Sequence, residues 1–472
     1  MKVNFNQGSI IFCSVIAFIF LIFPKDSISF LEMIINFLLH KLDRPILWFV
    51  SIILLFCIGL ALSPLGKIKL GNQSPEFSTF SWVAMLFAAG MGSGLIFWGV
   101  AEPVYHLNAP INNTNNSLMA LSITNFHWGL HAWGIYAFSG LVFAWFSYRK
   151  GRKMDILCIF PEKHHRYLRL LNFLGVISII FGVAGTLANS IALIQSGIEH
   201  YFPFNLTNGL FFRIGLLCLL TIIFTLSSIT GLKRGVKLLS DFNVLLALLL
   251  LGSLFLINHQ IQSIKIFFSS IIDYLKSLPS LSFIIEEENR KWSQSWSIIY
   301  FLWWIAWAPF TGLFIARISK GRSVREFILS ILIYPTLITI LWFAIFGGNA
   351  LQSNQLENIQ AAVNQNYTLG LFTYLELFEH SILLGCICIL LLITFVITSA
   401  DSAIYVTGML TNNTSTINKI TWALLLFSIS MGLLYQNNVD LNKVIAIFGA
   451  FPFCIILIGQ GILLIRSMLK DL

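Results

Sequence analysis

Apolar runs of about 20 residues recur along the whole chain and limit its fold more than any other feature. A run of about this length forms a helix long enough to cross ~30 Å of hydrocarbon. The chain has 472 residues, of which 57% are hydrophobic and 10% charged, and its mean hydropathy is +0.83. These values lie far from those of average soluble domains. The sequence therefore predicts an all-α polytopic membrane protein with a single membrane domain spanning residues 1–472.

The apolar runs predict about twelve transmembrane helices. They lie at approximately residues 9–23, 45–63, 77–106, 119–147, 171–198, 211–229, 238–257, 295–318, 325–348, 369–410, 420–435 and 443–466. Only Lys2 precedes the first run as a charge, and no small-residue cleavage site follows it. We therefore interpret the first run as a retained helix rather than a signal peptide.

Positive charges favour one side of the predicted membrane domain. The loop 148–170 carries seven Lys or Arg residues. Loops on the same side add Lys67, Lys69, Lys233, Arg234, Lys237, Arg317, Lys320, Arg322, Arg325 and Lys419. Because cytoplasmic loops are enriched in Lys and Arg, we expect an integral plasma (inner) membrane protein with both termini in the cytoplasm. The net charge of +9 then reflects orientation, and we expect no nucleic-acid partner.

Cysteines and histidines give no metal-site spacing. Cys386 and Cys388 form the closest pair among seven scattered cysteines, and this spacing is neither a redox nor a zinc motif. His127 and His131 are one helical turn apart, as in a metal pair. No acidic residue lies between them and no third ligand is evident, so we predict hydrogen-bonded interior histidines and no transition metal.

The segment Phe87–His106 combines a membrane-spanning length with unusual glycine content. Gly90, Gly92 and Gly94 fall within a stretch of five residues in mid-span, and each costs roughly 1 kcal/mol relative to Ala in a helix. The sequence predicts that this helix breaks in mid-membrane. Free backbone groups in hydrocarbon must face protein or a wet cavity, so we expect a bound ion or polar solute here.

Aromatic residues cluster on the fourth predicted helix. With Trp128 set at zero in a continuous helix, Tyr136 lies at about 80° and Trp133 at about 140°. All three rings can then face one cavity, although aromatic core packing explains this helix alone equally well. In the eighth helix Trp303, Trp304 and Trp307 fall within about 100°.

Pro309 interrupts the hydrogen-bond ladder just after these tryptophans and predicts a second broken helix. Two broken helices five spans apart indicate an inverted repeat with a site at the midplane. We therefore expect two N-terminal extra helices in 1–76, repeats in 77–257 and 295–466, an amphipathic link in 258–294 on the periplasmic side, and a short cytoplasmic tail in 467–472.

These parts together predict the chemistry of the site. Several Trp and Tyr rings without a carboxylate form a cage for a quaternary ammonium. Backbone N–H groups at Gly90, Gly92 and Gly94 can receive the anionic end of the same solute. Thr398 and Ser399 supply hydroxyls for a small hard cation. Asp401 lies beside them, and a functional and a structural role for it are equally supported.

Four motifs carry a family resemblance. They are GMGSGLIFWGVAEP, FHWGLHAWGIY, WWIAWAPFTGLFIARISKGRSVREF and TSADSA, beginning at residues 90, 126, 303 and 398. In order and spacing the chain resembles the betaine/carnitine/choline transporter family along nearly its whole length. The resemblance implies an amino-acid-transporter-like (LeuT-like) fold of five plus five helices with two extra N-terminal helices. It also implies a homotrimer, with the amphipathic helix at the interface, surrounded by membrane lipid.

The resemblance further implies particular site residues. An aromatic box is expected from Trp128, Trp133, Tyr136 and Trp304, with Trp303 and Trp307 along the path. A sodium site is expected from the carbonyls of Ala88, Met91 and Phe395 and the hydroxyls of Thr398 and Ser399. Sodium is the coupling ion implied, and no other cofactor is expected.

Two departures from the family pattern refine the expectation. Gly94 stands where proton-coupled choline transporters often have Asp, and resembles the sodium-coupled betaine type. Gly185, Ala188 and Asn189 replace the residues that the family usually has on the fifth helix, so the resemblance does not carry a second sodium site onto that helix.

We therefore predict a secondary active transporter, not an enzyme. It would import glycine betaine, or a related betaine or carnitine, by sodium symport with alternating access. Proton-coupled or potential-driven choline uptake and carnitine/betaine antiport remain alternatives. A hydrolase is disfavoured because Ser93 lacks a complete serine-elbow motif, and a channel because no filter sequence is present.

Overall fold

The computed structural model describes residues 5–90, 92–112, 114–160, 165–202, 209–230, 235–258, 260–436 and 438–470. Within these ranges the chain is helical and contains no β-strand, apart from one isolated bridge between Lys69 and Ser323. This confirms the prediction of an all-α fold. Met91, Lys163, Lys233 and Arg234, which the sequence analysis singled out, lie outside the described residues.

Twenty α-helices build the described part of the chain. They are α1 Phe5–Ile22, α2 Pro24–Leu62, α3 Thr79–Gly90, α4 Ser93–His106, α5 Ser117–Trp128, α6 Leu130–Ala144, α7 His165–Tyr201, α8 Leu210–Thr230, α9 Gly235–Ile257, α10 Gln260–Phe283, α11 Arg290–Ser293, α12 Ile299–Ile318, α13 Val324–Phe343, α14 Asn349–Leu351, α15 Leu356–Gln365, α16 Tyr367–Leu375, α17 Ser381–Leu410, α18 Thr416–Gln436, α19 Val439–Ala446 and α20 Ala450–Leu469. Single π-helical turns at 145–149, 294–298 and 344–348 continue α6, join α11 to α12 and join α13 to α14.

Nine helical segments of the described chain are long and apolar enough to cross a membrane, or ten if the bent pair formed by α9 and α10 is counted. This confirms a polytopic membrane protein. The other predicted spans correspond to α1, which is shorter, and to α3 with α4, which form one interrupted helix. The sequence predicts about twelve membrane-spanning helices, whereas length and composition select nine or ten in the described chain. The difference arises because short and interrupted helices fail the length criterion.

Helix α2 is 39 residues long and begins 21 residues before the predicted start at residue 45. Its N-terminal half carries a buried stripe of Ile28, Leu31, Ile35 and Leu39. The spacing of three and four residues is that of one helix face. Polar residues such as Glu32, Asn36 and His40 are interspersed in this half and lower its average hydropathy, so a search for uniformly apolar runs misses it.

The predicted helix break at Pro309 is wrong. Helix α12 continues from Ile299 to Ile318 through the proline. Nearby carbonyls accept hydrogen bonds from neighbouring helices: Ser139 Oγ donates to Ala308 O at 3.0 Å and Ser178 Oγ donates to Ala306 O at 3.1 Å. The proline removes the helical donor of Ile305 O, four residues before it, and the two hydroxyls bond carbonyls close to that position. The inverted repeat is predicted from two broken helices, and only the break at the glycine-rich segment is present. The repeat therefore stays a prediction.

Loops that carry the positive charges lie together at one end of the bundle. Leu70 N donates to Arg322 O at 2.8 Å, and Arg317 pairs with Glu76 at 3.4 Å. Lys153 Nζ contacts Asn412 on the same side. Segments far apart in sequence therefore form one basic surface, as the alternation of loops along the chain predicts.

Helix α10 has the amphipathic character predicted for the link 258–294. Its apolar residues Ile261, Ile264, Phe268, Ile272 and Leu275 are exposed. The opposite face is buried and contacts α5. An apolar stripe therefore faces away from the protein core, where lipid or another subunit can cover it.

Candidate functional site

The glycine-rich segment interrupts its helix, as the sequence predicts. Helix α3 ends at Gly90 and α4 begins at Ser93, while Gly92 between them is extended, with φ −125° and ψ −154°. The first residues of α4 have N–H groups without a partner in the preceding turn. The break therefore provides backbone donors in the interior of the bundle.

A cavity lies directly against this break. It contains about 610 Å³ of empty space, part of which is open to solvent. Its lining consists of Gly92, Ser93, Gly94, Phe97, Trp98, Trp128, Tyr136, Thr186, Asn189, Ser190, Tyr300, Trp303, Trp304 and Trp307. No charged residue is among them, so the cavity offers aromatic rings, hydroxyls, one amide and backbone groups.

Four rings predicted to form an aromatic box are brought together. The ring centroid of Trp304 lies 5.6 Å from that of Trp128, 5.0 Å from that of Tyr136 and 6.1 Å from that of Trp133. Trp128, Tyr136 and Trp304 line the cavity, whereas Trp133 is fully buried and packs against Tyr136 at 5.8 Å. Three rings are thus positioned to contact a solute and Trp133 supports them.

The remaining predicted site residues are placed less uniformly. Trp303 and Trp307 line the cavity and are only partly buried. Gly92 and Gly94 line it through their backbone. Gly90 is the last residue of α3.

The rings converge because the fourth predicted helix is not continuous. Gly129 has φ −100° and ψ −132° and separates α5 from α6. A Cβ at Gly129 would lie 2.5 Å from Asn125 O and 3.0 Å from the Tyr274 hydroxyl. Only glycine fits this position. The angles predicted for a continuous helix are therefore wrong, although the side chains still meet.

Gly94 allows the Trp128 ring to approach the backbone of α4. A Cβ at this position would lie 2.8 Å from Cη2 of Trp128. That distance is shorter than a van der Waals contact between carbon atoms. The absence of a side chain at Gly94 thus fixes one wall of the cavity.

Glu102 binds several of the aromatic rings. Its role is not predicted from the sequence. Its Oε2 accepts from Trp128 Nε1 at 2.8 Å and from the Tyr300 hydroxyl at 2.5 Å. Its Oε1 lies 2.7 Å from Nδ1 of His127. A fully buried carboxylate inside a membrane domain is a functional hypothesis by default. Applied to the sequence, the same rule would have identified Glu102 as a candidate functional residue.

The two histidines of the fourth helix have separate environments. His127 binds Glu102 through Nδ1 and the Ser297 hydroxyl through Nε2 at 2.9 Å. His131 Nε2 lies 3.2 Å from the hydroxyls of Ser51 and Ser282. The expectation that these histidines have no acidic partner is wrong for His127, because the carboxylate comes from another helix.

A cluster of three possible metal ligands includes His127. One donor atom each from Glu102, His106 and His127 lies within 4.8 Å of the others. The 2.7 Å between Glu102 Oε1 and His127 Nδ1 is a hydrogen-bond distance. The second oxygen of Glu102 is already shared by Trp128 and Tyr300. This geometry is that of a hydrogen-bonded network which holds the rings.

An ammonium group occupies an aromatic cage beside the cavity. Nζ of Lys443 lies 4.1 Å from the ring centroid of Trp296, 5.1 Å from that of Trp98 and 5.6 Å from that of Tyr367. It also pairs with Asp440 at 2.7 Å. Trp98 contacts both this cage and the cavity. The protein therefore already contains one cation held by three rings.

The predicted sodium ligands are described in part. Thr398 Oγ1 donates to Thr394 O at 3.1 Å and to Phe395 O at 3.0 Å. Ser399 Oγ lies 3.4 Å from the position of a Cβ on Gly92, so its hydroxyl faces the helix break. Ala88 belongs to α3, its side chain lies outside the described residues, and Met91 is not described.

Asp401 is buried one turn beyond Thr398 and its Oδ2 accepts from Ser227 Oγ at 2.5 Å. The carboxylate thus links α17 to α8. It is not among the residues that line the cavity. The sequence leaves a functional and a structural role open for Asp401. Its position favours the structural role.

Many membrane-spanning helices, one of them interrupted beside a cavity lined by aromatic rings, are features of an integral membrane transport protein. The family comparison agrees: the family model described as "BCCT, betaine/carnitine/choline family transporter" matches residues 6–472. The chain belongs to the betaine/carnitine/choline transporter family. It is therefore a transporter rather than an enzyme.

Curated relatives cover most of the chain. The glycine betaine transporter OpuD of Bacillus subtilis is 36% identical over 441 residues, covering 89% of this chain and 86% of the relative. The glycine betaine/proline/choline/ectoine transporter VP1456 of Vibrio parahaemolyticus is 32% identical, covering 99% and 86%. The ectoine/hydroxyectoine transporter of Virgibacillus pantothenticus is 33% identical, covering 87% and 86%.

Proposed function

We propose that this protein imports a zwitterion with a methylated ammonium, glycine betaine or a closely related betaine or carnitine, by sodium symport with alternating access. The observation that carries the proposal is the cluster formed by Trp128, Tyr136 and Trp304 around an uncharged cavity. A quaternary ammonium donates no conventional hydrogen bond and is attracted to the faces of aromatic rings.

The strength of this attraction supports a useful affinity. A desolvated cation–π contact contributes about 2 kcal/mol, so three contacts give about 6 kcal/mol before ordering costs. This corresponds to an affinity between micromolar and millimolar. Lys443 in its cage of three rings supports the same physics, since the chain holds its own ammonium in this way.

The anionic end of the solute would bind the helix break. The cavity meets the N-terminus of α4 at Gly92, Ser93 and Gly94. Unpaired N–H groups and the helix dipole favour a negative charge there. Rings at one end and backbone donors at the other suit a zwitterion better than a simple cation.

Sodium would bind between α3 and α17. Ser399 of α17 approaches Gly92 at the helix break, and Thr398, the preceding residue of that helix, would supply a second hydroxyl. Hydroxyl and carbonyl oxygens are the ligands that a small hard cation prefers. The carbonyls of Ala88, Met91 and Phe395 would complete the set. Sodium there would stabilise the interrupted helix against α17.

Orientation and assembly belong to the same proposal. The basic surface formed by the loops at Glu76, Lys153 and Arg317 would face the cytoplasm together with both termini. The exposed apolar face of α10 would contact its equivalents in a homotrimer.

Uptake into proteoliposomes tests the function. Purified protein is reconstituted, and accumulation of radiolabelled glycine betaine is measured with an inward sodium gradient and with potassium in its place. We expect concentrative uptake that requires sodium. Accumulation of choline alone, driven by the membrane potential, would instead support the cation transporter, and uptake that requires only internal substrate would support an antiporter.

The variant Trp304→Ala tests the aromatic box directly. Losing one ring contact of about 2 kcal/mol weakens binding about 30-fold. We expect glycine betaine and choline to be affected alike. Trp48→Ala is a matched control, because Trp48 is exposed on α2 and bonds only Phe283 O in the structure.

A further inference from the structure

Helices α7 and α19 approach unusually closely beside the cavity. A Cβ at Gly185 of α7 would lie 2.6 Å from Cβ of Ala446 and 2.8 Å from the carbonyl oxygen of Asn442. Only glycine permits this separation. The close approach brings the side chain of Asn442 to the helix face that carries Asn189, one turn beyond Gly185.

Asn189 and Asn442 then form a buried amide pair. Nδ2 of Asn442 donates to Oδ1 of Asn189 at 2.9 Å. Asn442 is 2% exposed and Asn189 is 4% exposed. Asn189 Nδ2 takes no part in this bond, and neither does Asn442 Oδ1, which is also buried without a hydrogen-bond partner among the described residues. This Nδ2 is buried and has no hydrogen-bond partner among the described residues.

The free amide donor belongs to the polar end of the cavity. Asn189 lines the cavity together with Ser93 and Ser190, whose hydroxyl oxygens are 2.6 Å apart. The N-terminus of α4 borders the same end. A buried polar group without a partner carries a desolvation cost. A solute with an acceptor at this end would remove that cost.

We propose that Asn189 recognises the anionic group of the transported zwitterion through its Nδ2–H donor, oriented by Asn442. The inference deepens the proposed function and rests on it. A carboxylate accepts several hydrogen bonds, and the amide, the Ser93–Ser190 pair and the backbone of α4 supply donors without a cation. Asn189 is thereby a specificity-determining residue that favours zwitterions over choline, which has no carboxylate.

Equilibrium binding to purified full-length protein tests this role. Tryptophan fluorescence is titrated with glycine betaine and, separately, with choline for wild type and Asn189→Leu, which removes the donor at nearly constant shape. A charge-assisted hydrogen bond corresponds to roughly a 10- to 100-fold effect. We expect glycine betaine binding to weaken by that factor and choline binding to stay within about threefold.

Two further variants keep the test decisive if Asn189→Leu does not fold. Asn189→Asp retains the acceptor for Asn442 and places a second oxygen toward the cavity, so betaine binding should fall and choline binding persist. Asn442→Leu leaves Asn189 in place without its orienting bond and should produce a smaller loss for betaine only.

Asn172→Leu is the matched control. Asn172 is also a buried asparagine of α7, but its Nδ2 donates to Leu410 O and it does not line the cavity. The inference is overturned if the Asn189 variants lose affinity for glycine betaine and choline equally, or if neither affinity changes. Wild-type protein that binds neither ligand would overturn the proposed function with it, whereas selective loss of betaine supports both.

Discussion

Single residues decide the shape of the cavity. Gly94 lets Trp128 pack against the backbone, and Glu102 holds that same ring from its other side through Nε1. The ring is therefore fixed at both ends. A preorganised aromatic wall binds a cation without first having to order its side chains.

Adding one methyl group at Gly94 should disrupt this wall. In Gly94→Ala the new Cβ would lie 2.8 Å from Cη2 of Trp128, and the ring cannot move without losing its bond to Glu102. Overpacking of this kind costs about 1–3 kcal/mol, so we expect substrate affinity to fall about tenfold or more in a fluorescence titration.

Gly252→Ala is the control for this prediction. A Cβ at Gly252 of α9 meets nothing within 4 Å, and its affinity should match wild type. Equal affinity for the Gly94 and Gly252 variants would show that Trp128 adapts. An Asp at position 94 would require Trp128 to move by the same argument.

Removing the carboxylate of Glu102 should destabilise the protein. Glu102→Ala leaves the Trp128 indole, the Tyr300 hydroxyl and the His127 ring without their shared partner. Each buried polar group left unpaired costs about 1–3 kcal/mol. We expect a markedly lower thermal unfolding temperature in detergent together with weaker substrate binding.

Glu357→Ala provides the comparison for Glu102→Ala. Glu357 is an exposed residue of α15, so its loss should leave the unfolding temperature unchanged. If both variants have the unfolding temperature of wild type, the three ring donors have other partners and Glu102 does not organise the site.

At the scale of whole helices, interruptions place the site. The break between α3 and α4 supplies backbone donors, and on either side of the interruption at Gly129, Trp128 of α5 and Tyr136 of α6 both contact Trp304. Pro309 shows that a strong breaker need not break a helix. Hydroxyls from α6 and α7 bond the neighbouring carbonyls of α12.

The kink at Gly129 makes a prediction at this scale. In Gly129→Ala the Cβ would lie 2.5 Å from Asn125 O, so α5 must shift and move Trp128 away from Trp304. We expect reduced thermal stability and at least a tenfold loss of affinity. Both are measurable on the same purified sample.

Gly215→Ala tests whether the effect is specific to the kink. Gly215 lies in α8 with nothing within 4 Å of its added Cβ, and alanine there should be neutral or slightly stabilising. A similar loss in both variants would indicate general intolerance to alanine.

At the scale of the whole molecule many apolar side chains are exposed, and those on α10 form one of these surfaces. Ile264 and Phe268 on α10 are 46% and 59% exposed. If this face joins the proposed homotrimer, the double variant Ile264→Glu and Phe268→Glu should convert trimers to monomers, because two charges per subunit would be buried at the interface. Light scattering during size-exclusion chromatography measures the mass.

Leu219→Glu is the control for the assembly prediction. Leu219 is 55% exposed on α8, away from the proposed interface, and its variant should keep the wild-type mass. A double α10 variant that also keeps the wild-type mass would place the subunit contact elsewhere or show a monomer.

The sequence by itself determined the membrane class, most helices, the break at Gly92 and the list of aromatic residues. These follow from local properties, namely apolar length, glycine content and residue type, which need no knowledge of neighbours. It also indicated the family, which the matched residues 6–472 confirm.

Only the tertiary structure decided how those residues act together. The carboxylate of Glu102 meets Trp128, Tyr300 and His127 from different helices, Gly185 admits Asn442 to Asn189, and Ser139 supports the backbone beside Pro309. Each of these contacts joins segments far apart in the chain. Hydrogen bonding and close packing between helices depend on distances of tenths of an ångström, which no local pattern in the sequence specifies.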